Sequence, residues 1–432
     1  MASRASTLGA TFPATWRRPL LLVLRVGAIA AGAAALLTFV LPALRGTFSG
    51  QLDDLGELLS GARLAAAGAN PYGPALAAAN ELTHGLPFVY PPFVAVLLRP
   101  FAVTAQAPAQ AVWVLLLLAS SVTGCVVTAR TFLPATWPRV PIAILTATLF
   151  VPATYNLWHG NINSVVFLLL ALAARDWAGG REVRCGGLIG LAAAIKLGPV
   201  VLLALFVRRR WWRGLIAAAA TVLATVVAGV VALGFETTRV FVTQVFPLMS
   251  RDDGWILDQT WSAVANRLLM RRVLVLDPAV PLLHPLMVGL GVVAVAAVAW
   301  QVRPGLIRRE VRGAEFGAGV AVMLLAAPFA WYEQWVQLII PVAACAGLLA
   351  AGVVRPGRLG AALITLVMVV TVVAPPLLTG TSFAGLVERS HSAGWWPWLQ
   401  LTSLPALALT WFLGELVLLL RRGEDPVPAR TG

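Results

Sequence analysis

Leu52 to Arg99, LDDLGELLSGARLAAAGANPYGPALAAANELTHGLPFVYPPFVAVLLR, is the first long break in an otherwise apolar chain, and it holds Asp53, Asp54, Glu57, Asn70, Glu81, His84 and Tyr90 together. Leu52, Leu55, Leu58, Leu59 and Ala62 recur at helical spacing on one side, while Asp53, Asp54, Glu57 and Ser60 take the other. Leu52 to Ala67 is therefore predicted as an interfacial amphipathic helix, ended by Gly68 and an Asn70-Pro71 break. Whether the apolar end of the stretch crosses a membrane decides the topology of everything after it.

Of 432 residues, 59% are hydrophobic and 12% charged, and the mean hydropathy is +0.85. That leaves too little polar surface to cover a water-soluble globule of this size, so the composition predicts an integral membrane protein that crosses the bilayer many times. The net charge of +14 does not point to nucleic acid, because 31 of the 32 basic residues are Arg in short clusters between apolar runs. Such clusters are orientation signals of cytoplasmic loops. Cys125, Cys185 and Cys345 share no loop and indicate neither a disulfide nor a metal framework. Pro19 to Leu44 follows Arg17 and Arg18 and exceeds the roughly 7 to 15 residues of a signal-peptide core, so it reads as an uncleaved first span.

With Arg4, Arg17 and Arg18 in the cytoplasm, Leu52 to Arg99 lies outside. Tyr90 to Phe101 is too short for a crossing that needs roughly 20 helical residues, so it is expected to be re-entrant or to lie in the outer leaflet. Ala109 to Ala129 then runs inward, Val140 to Leu157 outward to the polar Trp158 to Asn163, and Val165 to Ala174 back in. Gly186 to Arg213, GGLIGLAAAIKLGPVVLLALFVRRRWWR, is flanked by Arg at both ends and is predicted as two half-spans turning at Lys196-Leu197-Gly198-Pro199. Non-helical backbone and an ionisable group are tolerable there only where they line a cavity or are buried in protein. Gly214 to Leu233 exits, and further spans follow at Pro285 to Val302, Phe316 to Ala330, Val336 to Val353, Leu359 to Leu378 and Leu399 to Leu420. The expectation is one all-α transmembrane domain, residues 1–432, with about 12 membrane-crossing segments including the half-spans, and external amphipathic helices. Its external loops are 45–108 and 234–283, both termini are cytoplasmic, and 423–432 is a disordered cytoplasmic tail. This scheme places 21 basic residues on the cytoplasmic side and 8 in external loops.

Polar groups recur on the external side at Asp53/Asp54/Glu57, at His159 to Asn163, at Lys196, at Asp258-Gln259 with Arg267, and at Trp331 to Trp335. A carboxylate facing a lone ammonium and several amides suits chemistry in which a base deprotonates a hydroxyl while cations hold a phosphate leaving group. Each group also has a plainer reading. The three acids suit the first turns of a helix, and Lys196, the only lysine, suits a side chain snorkelling to the interface. His159 reads equally as a hydrogen-bonded structural group, Arg267 with Arg271 and Arg272 as a lipid-headgroup patch, and most of the sixteen Trp as interfacial anchors.

Asp54-Leu55, Ala62-Arg63, Ala67-Gly68-x-x-Pro71-Tyr72 and Phe88-Val89-Tyr90-Pro91-Pro92 resemble, in order and spacing, the first-loop signature of glycosyltransferase family 87, which uses polyprenyl-phosphate sugars. The likeness continues in Gly160-Asn161-Ile162-Asn163, where the family more often has Gly-Gln-x-Asn, and in Gly187 to Pro199, close to a Gly-rich run ending in Lys-x-x-Pro. Asp258-Gln259-Thr260 with Asn266-Arg267-Leu268 is similar to an Asn-Gln-Ser followed by Arg-Leu, and the whole covers about residues 20–340.

The resemblance implies the C-type glycosyltransferase fold in the plasma membrane with its site on the external face. It implies a polyprenyl-phosphate sugar donor, mannose first, and an acceptor hydroxyl on a lipid-linked glycolipid or polysaccharide of the cell envelope. Transfer proceeds with inversion, without metal or cofactor, and the partners are these substrates and membrane lipids. Asp54, the Asp of the matched Asp-Leu pair, becomes the general base. Lys196, His159, Asn161, Asn163 and Arg267 become contacts of the donor phosphate and sugar, while Asp53, Tyr90, Asp258, Gln259, Trp331 and Glu333 line the acceptor side or the cavity. Trp261, Trp331 and Trp335 become candidates for sugar stacking, and Tyr90-Pro91-Pro92 with the short helices is expected to frame a lateral cavity for the prenyl chain. Arabinofuranosyl transfer is the nearest alternative. Asp258 departs from the usual Asn, and no His follows Pro328-Phe329-Ala330-Trp331 where the family commonly has it. The rival of another class is a polytopic transporter or lipid flippase. That reading calls for broken helices at matching positions in two halves, and the broken segment at Lys196 has no counterpart in the second half. A non-catalytic subunit of an envelope complex would keep the fold without needing the carboxylate.

Overall fold

The computed structural model describes residues 14–46, 52–78, 88–249, 257–265, 267–268, 283–301, 308–327, 330–354, 357–374 and 402–422. The expected tail 423–432 lies outside these, as do 47–51 and 79–87 of the first expected loop and 250–256, 266 and 269–282 of the second. Glu81, His84, Arg271, Arg272 and Pro328-Phe329 fall in or beside those gaps.

The described residues are helical, with no strand among them. In chain order the helices used below are α1 (Ala14–Ala35, carried on to Leu44), α2 (Asp53–Ala66), α3 (Pro92–Leu97), α4 (Arg99–Ala102), α5 (Gln106–Phe132), α6 (Arg139–Leu149), α7 (Val151–His159), α8 (Asn163–Ala178) and α9 (Glu182–Ile195). Then come α10 (Leu203–Arg209), α11 (Trp212–Leu233), α12 (Leu283–Gln301), α13 (Arg309–Ala326), α14 (Ile339–Ala350), α15 (Gly357–Met368) and α16 (Leu404–Arg422). Tight 3-10 turns at Gly198–Leu202 and Tyr332–Leu338 lead into α10 and α14.

Among the described residues five helical segments are long and apolar enough to cross a membrane: Arg18–Leu44, Gln106–Phe132, Trp212–Leu233, Tyr332–Ala350 and Leu404–Arg421. A sixth is reached if α6 and α7, which meet at 55°, make one broken span. Among the described residues length and composition support five or six crossings, which does not confirm the expected twelve; several expected crossings are divided into shorter pieces, and parts of others lie outside the described residues. Pro152 stands in the first turn of α7, where it has no N–H to continue the α6 ladder, and Phe150 between the two helices is extended. Tyr90 to Phe101 likewise resolves into the two short helices α3 and α4.

Large apolar side chains such as Ile29, Ile216, Leu223, Val231 and Trp300 are exposed around the long helices, the outward face expected of helices set in lipid. Inside, helices approach closely where side chains are small. A Cβ on Gly186 of α9 would lie 1.9 Å from the carbonyl oxygen of Gly214, so glycine permits the α9–α11 contact. Arg99 fastens α2 to the bundle by donating to the last-turn carbonyls of two helices, Ala65 at 3.3 Å and Ala232 at 3.1 Å. A cation at two helix C-termini is favoured by both dipoles.

The two ends of α8 differ in kind. Near its C-terminus Asp176 is fully buried against Arg175 at 3.0 Å, Arg181 at 3.2 Å and Arg184 at 3.5 Å. Close by, Arg209 Nε donates to both oxygens of buried Glu315 at 2.8 Å, Trp177 Nε1 donates to the same carboxylate, and the guanidinium lies over the Trp177 and Trp211 rings. At its N-terminus, about 20 Å away at 1.5 Å per residue, acids, amides and a lysine meet without such pairing.

Candidate functional site

That N-terminal end is assembled from α2, the C-terminus of α7, the N-terminus of α8, the C-terminus of α9 and the turn Tyr332–Leu338. α2 starts abruptly. Leu52 is buried with φ 34°, a left-handed conformation that is uncommon and strained for a non-glycine residue, and its N–H reaches the Trp158 carbonyl at 3.3 Å. Asp53 and Asp54 follow in the first turn, so the plainer reading of these acids as helix-start residues is also true of them.

The loop between α7 and α8 lies directly against that start. Gly160 has φ +70°, and a Cβ there would meet Leu52 Cδ2 at 2.9 Å and Leu55 Cβ at 3.0 Å. Only glycine allows both the backbone conformation and the approach. Trp113 Nε1 of α5 donates to the Gly160 carbonyl at 2.7 Å, and Asn156, Ser164 and Ser121 brace the loop from below through bonds of 2.6 and 2.8 Å.

Asn161 and Asn163 then link a carboxylate to an ammonium. Asn161 Nδ2 donates to Asp54 Oδ2 at 2.8 Å, while its Oδ1 accepts the Asn163 N–H at 3.1 Å. Asn163 Oδ1 accepts from Lys196 Nζ at 3.0 Å. Both amides have one workable orientation, since each oxygen faces a donor and the Asn161 nitrogen faces a carboxylate. Lys196 ends α9 in extended backbone just before Gly198-Pro199, as expected of a turn between half-spans. Beside this line His159 Nδ1 and Asp53 Oδ1 are 2.7 Å apart, with Asp53 half exposed and His159 largely covered. The His159 ring lies 4.3 Å from Tyr155, which in turn meets Tyr332 at 5.8 Å.

Electrostatics separate the three acids of α2. Burial lifts Asp54 above the ordinary carboxylate range; the Asn161 hydrogen bond opposes this, the Asp53 charge adds to it, and His159 and Lys196 pull back without cancelling it. Burial also acts on Asp53, but the bond and charge of His159 outweigh it and hold that carboxyl below its usual range. Glu57 is pushed up to about 8 by burial and by the charges of Asp54, Asp53 and Glu333. Tyr90 and Glu333 lie within the same field, and Lys196 and Glu333 feel each other's charge without closing to an ion pair. Glu57, absent from the residues assigned by the family motif, belongs to this group; its helical spacing from Asp53 and Asp54 is the signal for it. Among the described residues no three His, Cys, Asp or Glu side chains gather to hold a metal.

The structure thus brings Asp53, Asp54, Tyr90, His159, Asn161, Asn163, Lys196 and Glu333 together. It places Asp258, Gln259 and Arg267 otherwise. All three are fully buried. Asp258 Oδ1 accepts the N–H groups of Thr260 at 2.9 Å and Ala330 at 3.1 Å, Gln259 Nε2 donates to the Thr402 carbonyl at 2.8 Å, and Arg267 donates to the Asp258 carbonyl at 2.7 Å and to Ser403 Oγ at 3.0 Å. These contacts form a clasp joining 257–265 and 267–268 to Ala330 and to the start of α16. The oxygen that serves Asp258 here is one that Asn also has, so the departure from the usual Asn falls at a structural position. Trp261 is engaged too, donating to Thr410 Oγ1 at 2.8 Å. Trp331, half buried, has an indole N–H without an acceptor, as does the fully buried Trp335.

A lateral cavity of about 450 Å³ opens between α5, α6, α14 and α15, lined by apolar side chains including Leu133, Trp137, Phe150, Val342, Leu366 and Val370. Tyr90-Pro91-Pro92 does not line it, so it is not the cavity expected from sequence. Tyr332, which meets Tyr155 beside His159, is tied to one wall of this cavity by donating its hydroxyl to the Val370 carbonyl at 2.6 Å.

Long apolar helices with a carboxylate, two amides and an ammonium linked in one polar cluster define a multi-pass membrane protein with a polar site. The chain belongs to glycosyltransferase family 87, whose model matches residues 88–328. Asp53, Asp54 and Glu57 precede the match and Glu333 follows it, while His159, Asn161, Asn163 and Lys196 lie within. Among curated proteins it is similar to a polyprenol-phosphate-mannose-dependent alpha-(1-2)-phosphatidylinositol pentamannoside mannosyltransferase of Mycolicibacterium smegmatis, 28% identical over 266 residues, 59% of this chain and 60% of that protein. It is also similar to an alpha-(1->3)-arabinofuranosyltransferase of Mycobacterium tuberculosis, 35% identical over 152 residues, 34% of each. The chain therefore spans less than two thirds of the length of either relative.

Proposed function

We propose that the protein transfers a sugar, mannose first, from a polyprenyl phosphate to a hydroxyl of a cell-envelope glycolipid or polysaccharide, with inversion. The observation that carries the reading is the line Asp54–Asn161–Asn163–Lys196 in a member of glycosyltransferase family 87. It sets a carboxylate and an ammonium apart in one site, as needed to take a proton from one substrate and hold negative charge on the other.

In the reaction Asp54 takes the proton of the acceptor hydroxyl as that oxygen bonds to the anomeric carbon. The bond from that carbon to the phosphate oxygen breaks, and its electron pair leaves with polyprenyl phosphate. Lys196, with His159, receives the phosphate charge. A phosphate ester is already a good leaving group, so a separate general acid is unnecessary. The prenyl chain occupies the apolar cavity between α5, α6, α14 and α15. The site faces the outside of the plasma membrane on a single C-type domain, a sidedness supported by the concentration of Arg in the opposite loops. Arabinofuranosyl transfer is the second reading, favoured by the likeness to the arabinofuranosyltransferase.

The test is Asp54→Asn, nearly isosteric, assayed with a short prenyl phosphate carrying radiolabelled mannose or arabinofuranose. A positioned base contributes about 10²- to 10⁴-fold, so transfer should fall by that order while donor binding persists. Undiminished turnover would remove Asp54 from the role.

A further inference from the structure

We propose that Glu57 seats the acceptor: its carboxyl binds a sugar hydroxyl next to the one that Asp54 deprotonates. The inference rests on the transfer reaction proposed above and adds which side of the base each substrate occupies.

Glu57 follows Asp53 by four residues and Asp54 by three, the two spacings that put helix side chains on one face about 5–6 Å apart at Cβ. The opposite face of α2 does the packing, with Leu55, Leu58, Leu59 and Ala62 buried. Glu57 is half buried in the polar group, yet among the described residues it forms neither a hydrogen bond nor an ion pair. Its carboxyl oxygens are not among the buried atoms that lack a partner, so they stay open to solvent and to the hydroxyls of a ligand.

Charge decides which ligand. The groups whose charges act on Glu57 are Asp54, Asp53 and Glu333, and no cation is among them. The cations are engaged elsewhere: His159 is joined to Asp53 at the start of α2, one turn before Glu57, and Lys196 is bonded to Asn163. A phosphodiester placed against Glu57 would meet carboxyls alone, whereas a neutral polyol meets none of that repulsion. The donor phosphate thus sorts to the Lys196 side and the acceptor sugar to the Glu57 side, with Asp54 between them. Since the surroundings push Glu57 up to about 8, it is mostly protonated at neutral pH. A protonated carboxyl donates one hydrogen bond and accepts others, which suits vicinal hydroxyls, and leaves proton abstraction to Asp54.

The experiment uses the full-length protein in lipid vesicles, the labelled prenyl-phosphate sugars above, and an alkyl mannoside and an alkyl arabinofuranoside as acceptors. Glu57→Ala is expected to raise the acceptor KM by about 10-fold or more, the worth of one good hydrogen bond to a carboxyl. Donor KM and kcat at saturating acceptor should hold. Glu57→Gln, which keeps a donor and an acceptor, should restore most of the acceptor KM at neutral pH. If Glu57→Ala does not fold, judged by thermal melting, Glu57→Asp gives the same comparison with a shorter reach. An unchanged acceptor KM, or a rise in donor KM instead, overturns the assignment. Wild-type protein that makes no product with any of these pairs refutes the transfer reading itself, a result distinct from an active variant with unchanged acceptor KM.

Discussion

Replacing Asn161 by Ala removes the hydrogen bond that favours ionised Asp54, and the consequence is readable in a pH profile. In the native site burial already holds Asp54 above the ordinary carboxylate range, and the 2.8 Å bond from Asn161 is the largest force pulling it back. A hydrogen bond to a charged group contributes about 1.5–3 kcal/mol. Asp54 keeps some solvent contact, so the lower end applies, and at 1.36 kcal/mol per unit the pKa should rise by about one unit. The sign follows from the role of the base: only ionised Asp54 accepts the proton, so activity is lost as pH falls through the raised pKa. In Asn161→Ala that acidic limb moves about one unit toward higher pH, activity at the foot of the limb drops about tenfold, and alkaline pH restores much of it. The assay is initial transfer rate against pH at saturating donor. Asn161→Asp should shift the limb further, because it replaces the donor with a like charge. A limb that stays in place while the rate falls equally at all pH values would refute the reasoning and leave Asn161 as loop scaffold alone.

Gly160→Ala forces a left-handed residue with a side chain, at about 1–2 kcal/mol, and its Cβ runs into Leu52 and Leu55 at 2.9 and 3.0 Å. Transfer should fall along with the melting temperature, and Leu52→Ala added to it should recover part of both; no recovery would show that backbone strain alone is responsible. At the other end of α8, Glu315→Ala leaves Arg209 buried without its carboxylate and should cost about 3–5 kcal/mol in stability, read by thermal melting in detergent. Arg209→Met with Glu315→Leu should cost much less, and equal losses would show that the pair is not treated by the fold as one unit.

The polar interruption at Leu52, the amphipathic α2 and the turn at Lys196 were all legible because each breaks a local pattern. The Gly160 to Asn163 loop was legible through its motif. Asp258, Gln259 and Arg267 were not, because their partners are remote in sequence: Ala330, Thr402 and Ser403 are 72 to 143 residues from them. A buried polar residue satisfied by distant backbone and one waiting for a ligand are written with the same letters. Glu57 was grouped with Asp53 and Asp54, but the motif gave it no role of its own. It looks like any acid on the wet face of a surface helix until Glu333, on a turn far along the chain, is found in its field. The apolar cavity had no sequence signal at all, since lipid-facing and cavity-facing side chains of a membrane helix are chemically alike.

The chain carries 31 arginines and one lysine, and the lysine stands where α9 ends and the turn at Gly198–Leu202 begins. Arginine would bring a planar fork suited to pairing two-to-two with a carboxylate, as Arg209 does with Glu315. At position 196 such a fork would close on Asp54 or Glu333, and in a medium of low dielectric that pair would be hard to open. The compact ammonium makes one bond to Asn163 instead, and Asn161 presents the other end of the line to Asp54. Two amides therefore keep base and cation in each other's field without letting them neutralise one another. Each retains the capacity that the proposed transfer calls for: the carboxylate to take a hydroxyl proton, the ammonium to meet a phosphate oxygen. The spacing Gly-Asn-x-Asn is what sets that distance, with glycine pressing the loop onto α2 and the alternate asparagines facing opposite partners.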